Sequence, residues 1–214
     1  AVGLHVDQRP PHAGAFHLEY AGRIAHLVEL IGLLVVDRDV FDAEITADIG
    51  PEDEDRLFYA FENYVAAENT NVVILEDYNK GVLTDKLIRK VVDLCGKKGI
   101  LTAVDPKRKN FFSYEGVGIF KPNLKEVKEG LNMLPETINL HVLQDMHLQL
   151  QEKLRHTISL ITLSEKGVFY QKDNDAAIIP THIRSIADVS GAGDTVIALP
   201  FRPRLNGATI GILM

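Results

Sequence analysis

From about residue 54 onward, short β-like runs alternate with segments whose apolar residues recur at helical spacing. Residues 71–76 predict a buried strand. Residues 84–95 predict a helix, which Thr84 or Asp85 can cap and which Gly96 or Gly99 can end. This alternation is typical of an α/β domain whose largely parallel sheet is covered on both faces.

The following segments keep the same alternation. Strands are predicted at 100–104, 117–120 and 157–162, helices from near residue 124 and over about 136–155, and a hairpin from 168–171 and 176–179. Four polar residues come just after a predicted strand: Asp77, Asp105, Asn123 and Ser164. Because open sheets of this kind bind ligands at the carboxyl ends of their strands, we expect these residues to share one cleft.

Composition narrows the class of protein. The chain has 214 residues, 46% of them hydrophobic and 25% charged, which predicts a folded domain with a sizeable core. With 23 basic and 30 acidic residues the net charge is −7, and no basic stripe exists, so a nucleic-acid partner is not expected. The single cysteine, Cys95, lies in an apolar series and predicts a buried structural thiol.

The longest apolar run, residues 24–36, is interrupted by His26 and Glu29 and is too short to cross a bilayer. The first residues show no basic region followed by a cleavage site. We therefore expect a cytoplasmic protein without a membrane partner.

The segment Asp188–Asp194, Asp-Val-Ser-Gly-Ala-Gly-Asp, carries the strongest chemical signal. Gly191, Ala192 and Gly193 have almost no side chain, so their backbone N–H groups can face an anion at the start of a helix. Asp194 can then accept the proton of a substrate hydroxyl. The pattern favours phosphoryl transfer over its alternative, an Asp-capped glycine turn.

This segment resembles the signature of the ribokinase-like (PfkB) carbohydrate kinases, Asp-x-x-Gly-Ala-Gly-Asp. Together with residues 77–84, Asp-Tyr-Asn-Lys-Gly-Val-Leu-Thr, it is most similar to the heptose-7-phosphate kinase domain of bacterial ADP-heptose synthesis proteins. The resemblance extends over about 70–198. It implies a ribokinase-like three-layer α/β fold with a mostly parallel central sheet, a sugar kinase activity, and ATP and Mg²⁺ as cofactors.

The resemblance also implies roles for individual residues. Asp194 acts as catalytic base, assisted by the backbone of Gly191, Ala192 and Gly193. Magnesium is bound through water by Asn123 and Glu126. The other ATP-binding residues are Thr162, Ser164, Gly167 and Asp188, and the residues facing the sugar phosphate are Asp77, Lys80 and Lys107.

Simpler roles stay open for several of these residues. Asn123 can be only a helix cap, and residues 162–167 only a turn, with Ser164 where many family members have glycine. Lys80 and Lys107 can be solvated surface cations. The eight histidines lack metal-binding spacings, so we expect them to be structural or exposed.

The chain departs from the family at both ends. The family's glycine-rich sugar-binding segment has no match, so residues 1–50 are interpreted as a lid remnant or an unaligned segment, and 51–214 as the kinase core. Pro200 and Pro203 should end the last helix by about Leu199. We therefore expect a fold that is incomplete at its N- and C-termini. The resemblance also allows for a homodimer.

The function that this sequence predicts is ATP-dependent phosphorylation of a sugar or sugar-phosphate hydroxyl, with heptose 7-phosphate as the leading substrate. Two alternatives stay open: a PfkB-type kinase for another sugar, such as fructose phosphate or ribose, and a non-catalytic fragment that binds nucleotide.

Overall fold

The computed structural model describes residues 46–180 and the backbone of residues 209–213. The helices are α1 (Pro51–Ala67), α2 (Asp85–Lys98), α3 (Leu124–Leu131) and α4 (Leu140–Leu154). The strands are β1 (Thr70–Glu76), β2 (Leu101–Asp105), β3 (Ile119–Phe120), β4 (Ile158–Thr162), β5 (Val168–Lys172), β6 (Asp175–Ile179) and β7 (Thr209–Leu213). Short 3₁₀ helices occupy Arg108–Asn110 and Ser164–Lys166.

The strands form one sheet in the order β6-β5-β4-β3-β2-β1-β7. Strands β7, β1, β2, β3 and β4 are mutually parallel, whereas β4, β5 and β6 pair antiparallel. The α/β class with a mostly parallel sheet is therefore confirmed. Because β1, β2 and β3 run in the same direction, the loops that leave them all start from the same edge of the sheet, and each loop leads into a crossover connection.

Strand β1 explains why residues 72–75 form an uninterrupted apolar run in the sequence. Val73 and Leu75 on one face are fully buried, and Val72 and Ile74 on the other are at most 5% exposed. The second face joins a cluster with Ala103, Ile119 and Leu160. Burial on both faces is the usual condition of a parallel strand, and it removes the alternation of polar and apolar residues.

Helix α2 begins and ends where the sequence indicates. The Thr84 hydroxyl oxygen accepts a hydrogen bond from the Leu87 backbone N–H at 3.1 Å, and Gly99 closes the helix with a left-handed φ of 69°. Cys95 lies fully buried on the inner face, and burial raises the pKa of its thiol to about 11. The prediction of a structural thiol is confirmed.

Two predicted elements are shorter than expected. Strand β3 has two residues instead of four, because the Gly118 N–H donates to the side-chain hydroxyl of Thr102 at 3.0 Å and not to a backbone carbonyl of β2. Helix α4 begins at Leu140 instead of near residue 136, since Asn139 caps it by accepting a hydrogen bond from the Val142 N–H at 3.0 Å.

A polar cluster lies in the core between α4 and β4. The Ser159 hydroxyl lies 2.9 Å from His147 Nδ1 and 2.6 Å from His156 Nε2, and all three residues are at most 1% exposed. Burial lowers the pKa of both rings, to about 4 for His156, where His147 adds to the effect. Burial thus disfavours the charged form of both rings, and these two histidines are structural groups of the core, as expected.

In the described part of the chain, no helix combines the length and the apolar character that crossing a membrane requires.

Candidate active site

Two predicted site residues meet at the carboxyl ends of β1 and β2. Asp105 is the last residue of β2, and Asp77 directly follows β1. The Asp77 N–H donates to the Asp105 carbonyl oxygen at 3.1 Å, so the segments that follow β1 and β2 leave the sheet side by side. The expectation that polar residues after the strands converge holds for this pair.

The Asp77 carboxylate is saturated by groups of the protein. Its Oδ1 accepts from the Asn79 N–H at 2.8 Å, and its Oδ2 accepts from Asn110 Nδ2 at 3.1 Å and from the Tyr114 hydroxyl at 2.8 Å. The residue is 3% exposed. Burial and the neighbouring Asp77 charge raise the pKa of Tyr114, so its hydroxyl remains a donor. In this structure Asp77 fixes the loop that follows β1.

That loop, residues 77–81, is closed by two left-handed residues. Asn79 has a φ of 57° and Gly81 a φ of 77°, and a side chain at position 81 would meet the Ala47 carbonyl oxygen. The Gly81 carbonyl oxygen in turn accepts from the Ile49 N–H at 2.9 Å. Lys80 lies between Asn79 and Gly81, and its side chain is exposed near the carboxyl ends of the strands.

A chain of four charges lies beside this loop, and we call it the charge chain: Lys121, Asp105, Lys107 and Glu126. Lys121 Nζ lies 2.7 Å from Asp105 Oδ2, and Lys107 Nζ lies 3.3 Å from Asp105 Oδ1 and 3.4 Å from Glu126 Oε1. Burial opposes the positive charge of Lys107, but the two carboxylates prevail and raise its pKa. Lys107 is thus a cation held between two anions.

Asn123 and Glu126 form a capping box at the start of α3. Asn123 Oδ1 accepts from the Glu126 N–H at 2.9 Å, and Glu126 Oε2 accepts from the Asn123 N–H at 2.8 Å. The box uses one oxygen of Glu126 and turns the other, Oε1, toward Lys107. Glu126 therefore does two things at once: it completes the helix cap with Asn123, and it pairs with the charge of Lys107.

The donor set around Glu126 suits a hydrated magnesium ion. In the residues that the structure describes, no group of three or more His, Cys, Asp or Glu side chains is arranged to hold a metal ion. Glu126 offers one carboxylate oxygen that the capping box does not use, on a side chain 13% exposed. Magnesium keeps much of its water and needs few protein ligands, so these residues fit an ion bound through water.

The predicted nucleotide segment lies next to Asn123. Asn123 and Thr162 form a parallel bridge, and the Thr162 N–H donates to the Pro122 carbonyl oxygen at 3.0 Å. Ser164 is exposed and has a φ of 57°, a backbone conformation that glycine adopts without strain. The backbone at position 164 therefore favours the glycine that the resemblance implies there.

Several N–H groups of this turn are already bonded. Those of Leu163, Lys166 and Gly167 donate to backbone oxygens of the turn itself at 2.8–3.2 Å. Gly167 has a φ of 103°, and a side chain there would meet the Ile179 carbonyl oxygen, so glycine is required by the hairpin. The nucleotide role of Thr162, Ser164 and Gly167 remains a prediction.

The segment predicted to be catalytic lies outside the described residues. This applies to Asp188, Gly191, Ala192, Gly193 and Asp194, whose roles remain predictions from the sequence.

A pocket of about 280 Å³ borders the charge chain at Glu126. It is lined by Arg108, Lys109, Phe111, Phe112, Ser113, Glu126, Glu129 and Gly130. Glu126 is the one predicted site residue among them. The pocket is therefore not lined by Asp77 or Asp105, the residues at the strand ends.

Three site residues were missed by the sequence analysis: Asn110, Tyr114 and Lys121. Asn110 and Tyr114 give no local signal, since they lie 33 and 37 residues from the Asp77 carboxylate that they contact. Lys121 does give one. It directly follows a buried strand and precedes Pro122, and its side chain is 4% exposed. A lysine at such a position indicates a carboxylate partner close to its ammonium group.

Comparisons with known proteins agree with the fold. A sequence model described as the pfkB family carbohydrate kinase matches residues 33–210. Among solved structures, a putative phosphofructokinase from Staphylococcus aureus is 16% identical with a TM-score of 0.60, covering 76% of this chain and 52% of that one. Phosphofructokinase-2 from Escherichia coli, in its tetrameric inhibited form, is 14% identical with a TM-score of 0.57, covering 76% of this chain and 53% of that one.

Curated relatives of this chain include several named Bifunctional protein HldE. That of Aliarcobacter butzleri is 38% identical over 160 residues, which is 74% of this chain and 32% of the relative. That of Sulfurimonas denitrificans is 40% identical over 128 residues, which is 60% of this chain and 26% of the relative. The chain thus spans about a third or less of the length of these relatives. The family match covers well over half of the chain, and the protein belongs to the PfkB family of carbohydrate kinases, with a ribokinase-like fold.

Proposed function

We propose that this chain transfers the γ-phosphoryl group of ATP to a hydroxyl of a phosphorylated sugar, with heptose 7-phosphate as the preferred acceptor. The observation that carries the proposal is the family match over residues 33–210, which contains the whole Asp188–Asp194 motif. The similarity to proteins named HldE supports a heptose phosphate as the acceptor.

The roles of the motif follow from the chemistry of phosphoryl transfer. Asp194 takes the proton of the attacking hydroxyl, which makes the oxygen a better nucleophile. The N–H groups of Gly191, Ala192 and Gly193 stabilise the charge on the transferred phosphoryl group. Magnesium, when bound through water near Asn123 and Glu126, neutralises part of the ATP charge.

The described residues support an anionic substrate. Lys80 is exposed at the strand ends, and Lys107 is 37% exposed and retains its charge between two carboxylates. Both lysines lie on segments that leave the same edge of the sheet. We assign them to the phosphate group of the acceptor, because a lysine ammonium on a flexible stem can reach a phosphate as a point charge.

The test is ATP consumption with heptose 7-phosphate, fructose 6-phosphate and ribose, measured for the wild type and for Asp194→Asn. Loss of a general base should lower kcat by about 10²- to 10⁴-fold. The matched control is Asp145→Asn, which makes the same chemical change at an exposed position of α4 and should leave kcat unchanged.

Each part of the proposal has its own contradicting result. Activity of Asp194→Asn within a few-fold of the wild type would refute the base assignment. A higher kcat/KM for ribose or fructose 6-phosphate would overturn heptose 7-phosphate as preferred acceptor. Binding of ATP without turnover of any sugar would favour the non-catalytic alternative.

A further inference from the structure

The two lysines of the charge chain differ in their freedom to move. Lys121 is 4% exposed, and its ammonium lies 2.7 Å from Asp105 Oδ2. Lys107 is 37% exposed and makes two longer contacts, 3.3 Å to Asp105 and 3.4 Å to Glu126. Burial therefore fixes Lys121 in place, while the partly exposed Lys107 ammonium can turn from its partners toward solvent.

Each carboxylate of the charge chain has its own lysine: Lys121 pairs with Asp105, and Lys107 pairs with Glu126. Asp105 has a buried counter-charge in Lys121 whether or not Lys107 is present. Among the contacts of the charge chain, Lys107 supplies the positive charge facing Glu126 Oε1, the oxygen that the capping box leaves over. A cation that binds this oxygen must compete with Lys107, because like charges repel at such distances.

We propose that Lys107 is an exchangeable counter-ion, which neutralises Glu126 when no metal is bound and turns to an anionic phosphate when a divalent cation occupies Glu126. The two ligands then bind cooperatively: phosphate draws Lys107 away from Glu126, and the metal releases Lys107 for phosphate. This inference rests on the proposed function, since a kinase needs its metal and its phosphorylated acceptor together.

Thermodynamic linkage makes the coupling measurable from either side. The probes are Mn²⁺, followed by its electron paramagnetic resonance signal, and sulfate, which presents a tetrahedral anion and binds Mn²⁺ weakly in solution. In the wild type we expect saturating sulfate to tighten Mn²⁺ binding by about 5-fold or more. This readout does not depend on catalytic activity.

The decisive variant is Lys107→Met, which keeps an unbranched side chain one atom shorter and removes the charge. We expect it to bind Mn²⁺ more tightly than the wild type without sulfate and to lose the effect of sulfate. The matched control is Lys125→Met on α3, which removes the same charge from a side chain 84% exposed and should retain the coupling.

A second variant tests the exchange from the other side. Glu126→Gln retains a side chain that can complete the capping box but removes the charge that holds Lys107. We expect weaker Mn²⁺ binding and tighter sulfate binding, the latter measured by calorimetry without metal. Circular dichroism melting checks that each variant is folded.

The results separate this inference from the proposed function. If Lys107→Met and Glu126→Gln leave both affinities and the coupling unchanged, the exchange is overturned, even where sugar is phosphorylated. If the affinities change as expected but no sugar is phosphorylated, the exchange stands as a property of the site, and the proposed function fails.

Discussion

The loop after β1 and the charge chain lie side by side, yet they hold their charges in opposite ways. Asp77 receives three hydrogen bonds of 2.8–3.1 Å and is 3% exposed. The Glu126 carboxylate lies 3.4 Å from the Lys107 ammonium, and the Lys107 side chain is partly exposed to solvent. A saturated carboxylate fixes the backbone, whereas a loosely paired one can change partners. Of the two, the charge chain is the region equipped to respond to a ligand.

The largest expected effect comes from removing the saturated carboxylate. Asp77→Ala leaves the Tyr114 hydroxyl and one N–H of the Asn110 amide as buried donors without an acceptor, while the Asn110 amide keeps its 2.7 Å hydrogen bond to the Leu83 carbonyl oxygen. Each buried donor that loses its acceptor costs about 1–3 kcal/mol. We expect the free energy of unfolding in urea to fall by about 4 kcal/mol. Glu126→Gln, by contrast, should cost under about 1 kcal/mol because its ion pair is long and partly solvated. Equal losses would contradict the distinction between the two regions.

This comparison must be made at a pH where the core itself is stable, and the buried histidines define that range. His156 has a folded pKa of about 4, against an ordinary value of 6.5. Between these values the unfolded chain binds a proton that the folded chain does not, so stability is full above about pH 6.5 and falls toward pH 4. We expect a loss of about 3 kcal/mol.

Urea unfolding at several pH values checks this expectation. In His156→Phe the ring can no longer titrate, so the loss between pH 6.5 and pH 4 should shrink by a similar amount. An unchanged pH profile in this variant would show that other groups govern acid stability.

The anchoring of the β1 loop can be tested through its glycine. Gly81→Ala forces a left-handed φ on alanine and places a methyl group against the Ala47 carbonyl oxygen. The matched control is Gly116→Ala, which has a similar φ of 82° but would meet only the Val92 side chain at 3.7 Å, an ordinary van der Waals contact. We expect Gly81→Ala to cost about 2 kcal/mol more than Gly116→Ala in urea unfolding. A cost equal to the control would show that residues 46–50 do not fix this loop.

The smallest effect concerns the predicted nucleotide turn, which belongs to neither region. Ser164 has a φ of 57°, so Ser164→Gly should relieve backbone strain and raise the free energy of unfolding by about 0.5–1 kcal/mol. Thermal unfolding followed by circular dichroism is the measurement. Destabilisation would mean that the serine side chain makes a contact worth more than the strain.

Much of the fold could be predicted because its determinants are local. The cap at Thr84, the left-handed residue at Gly99 and the apolar run of β1 each act within a few residues. Helix α1 was not predicted as such, since its buried stripe is narrow: Leu57, Phe61, Val65 and the charged Glu54. A buried glutamate makes a helix face look polar in the sequence.

The site was predictable in position but not in orientation. Residues that follow parallel strands must meet at one edge of the sheet, and Asp77 and Asp105 do. That Asp77 is saturated depends on Asn110 and Tyr114, which are distant in sequence and reach it only through the tertiary fold. The same holds for the burial of Lys121 beside Asp105.

The most direct test of the central claim, that this chain is a sugar kinase, is phosphorus NMR of ATP, Mg²⁺ and heptose 7-phosphate with the protein. We expect ADP to appear together with a second phosphate ester on the sugar, in equal amounts. ATP that stays intact, or that forms ADP and free phosphate without a new sugar phosphate, would contradict it.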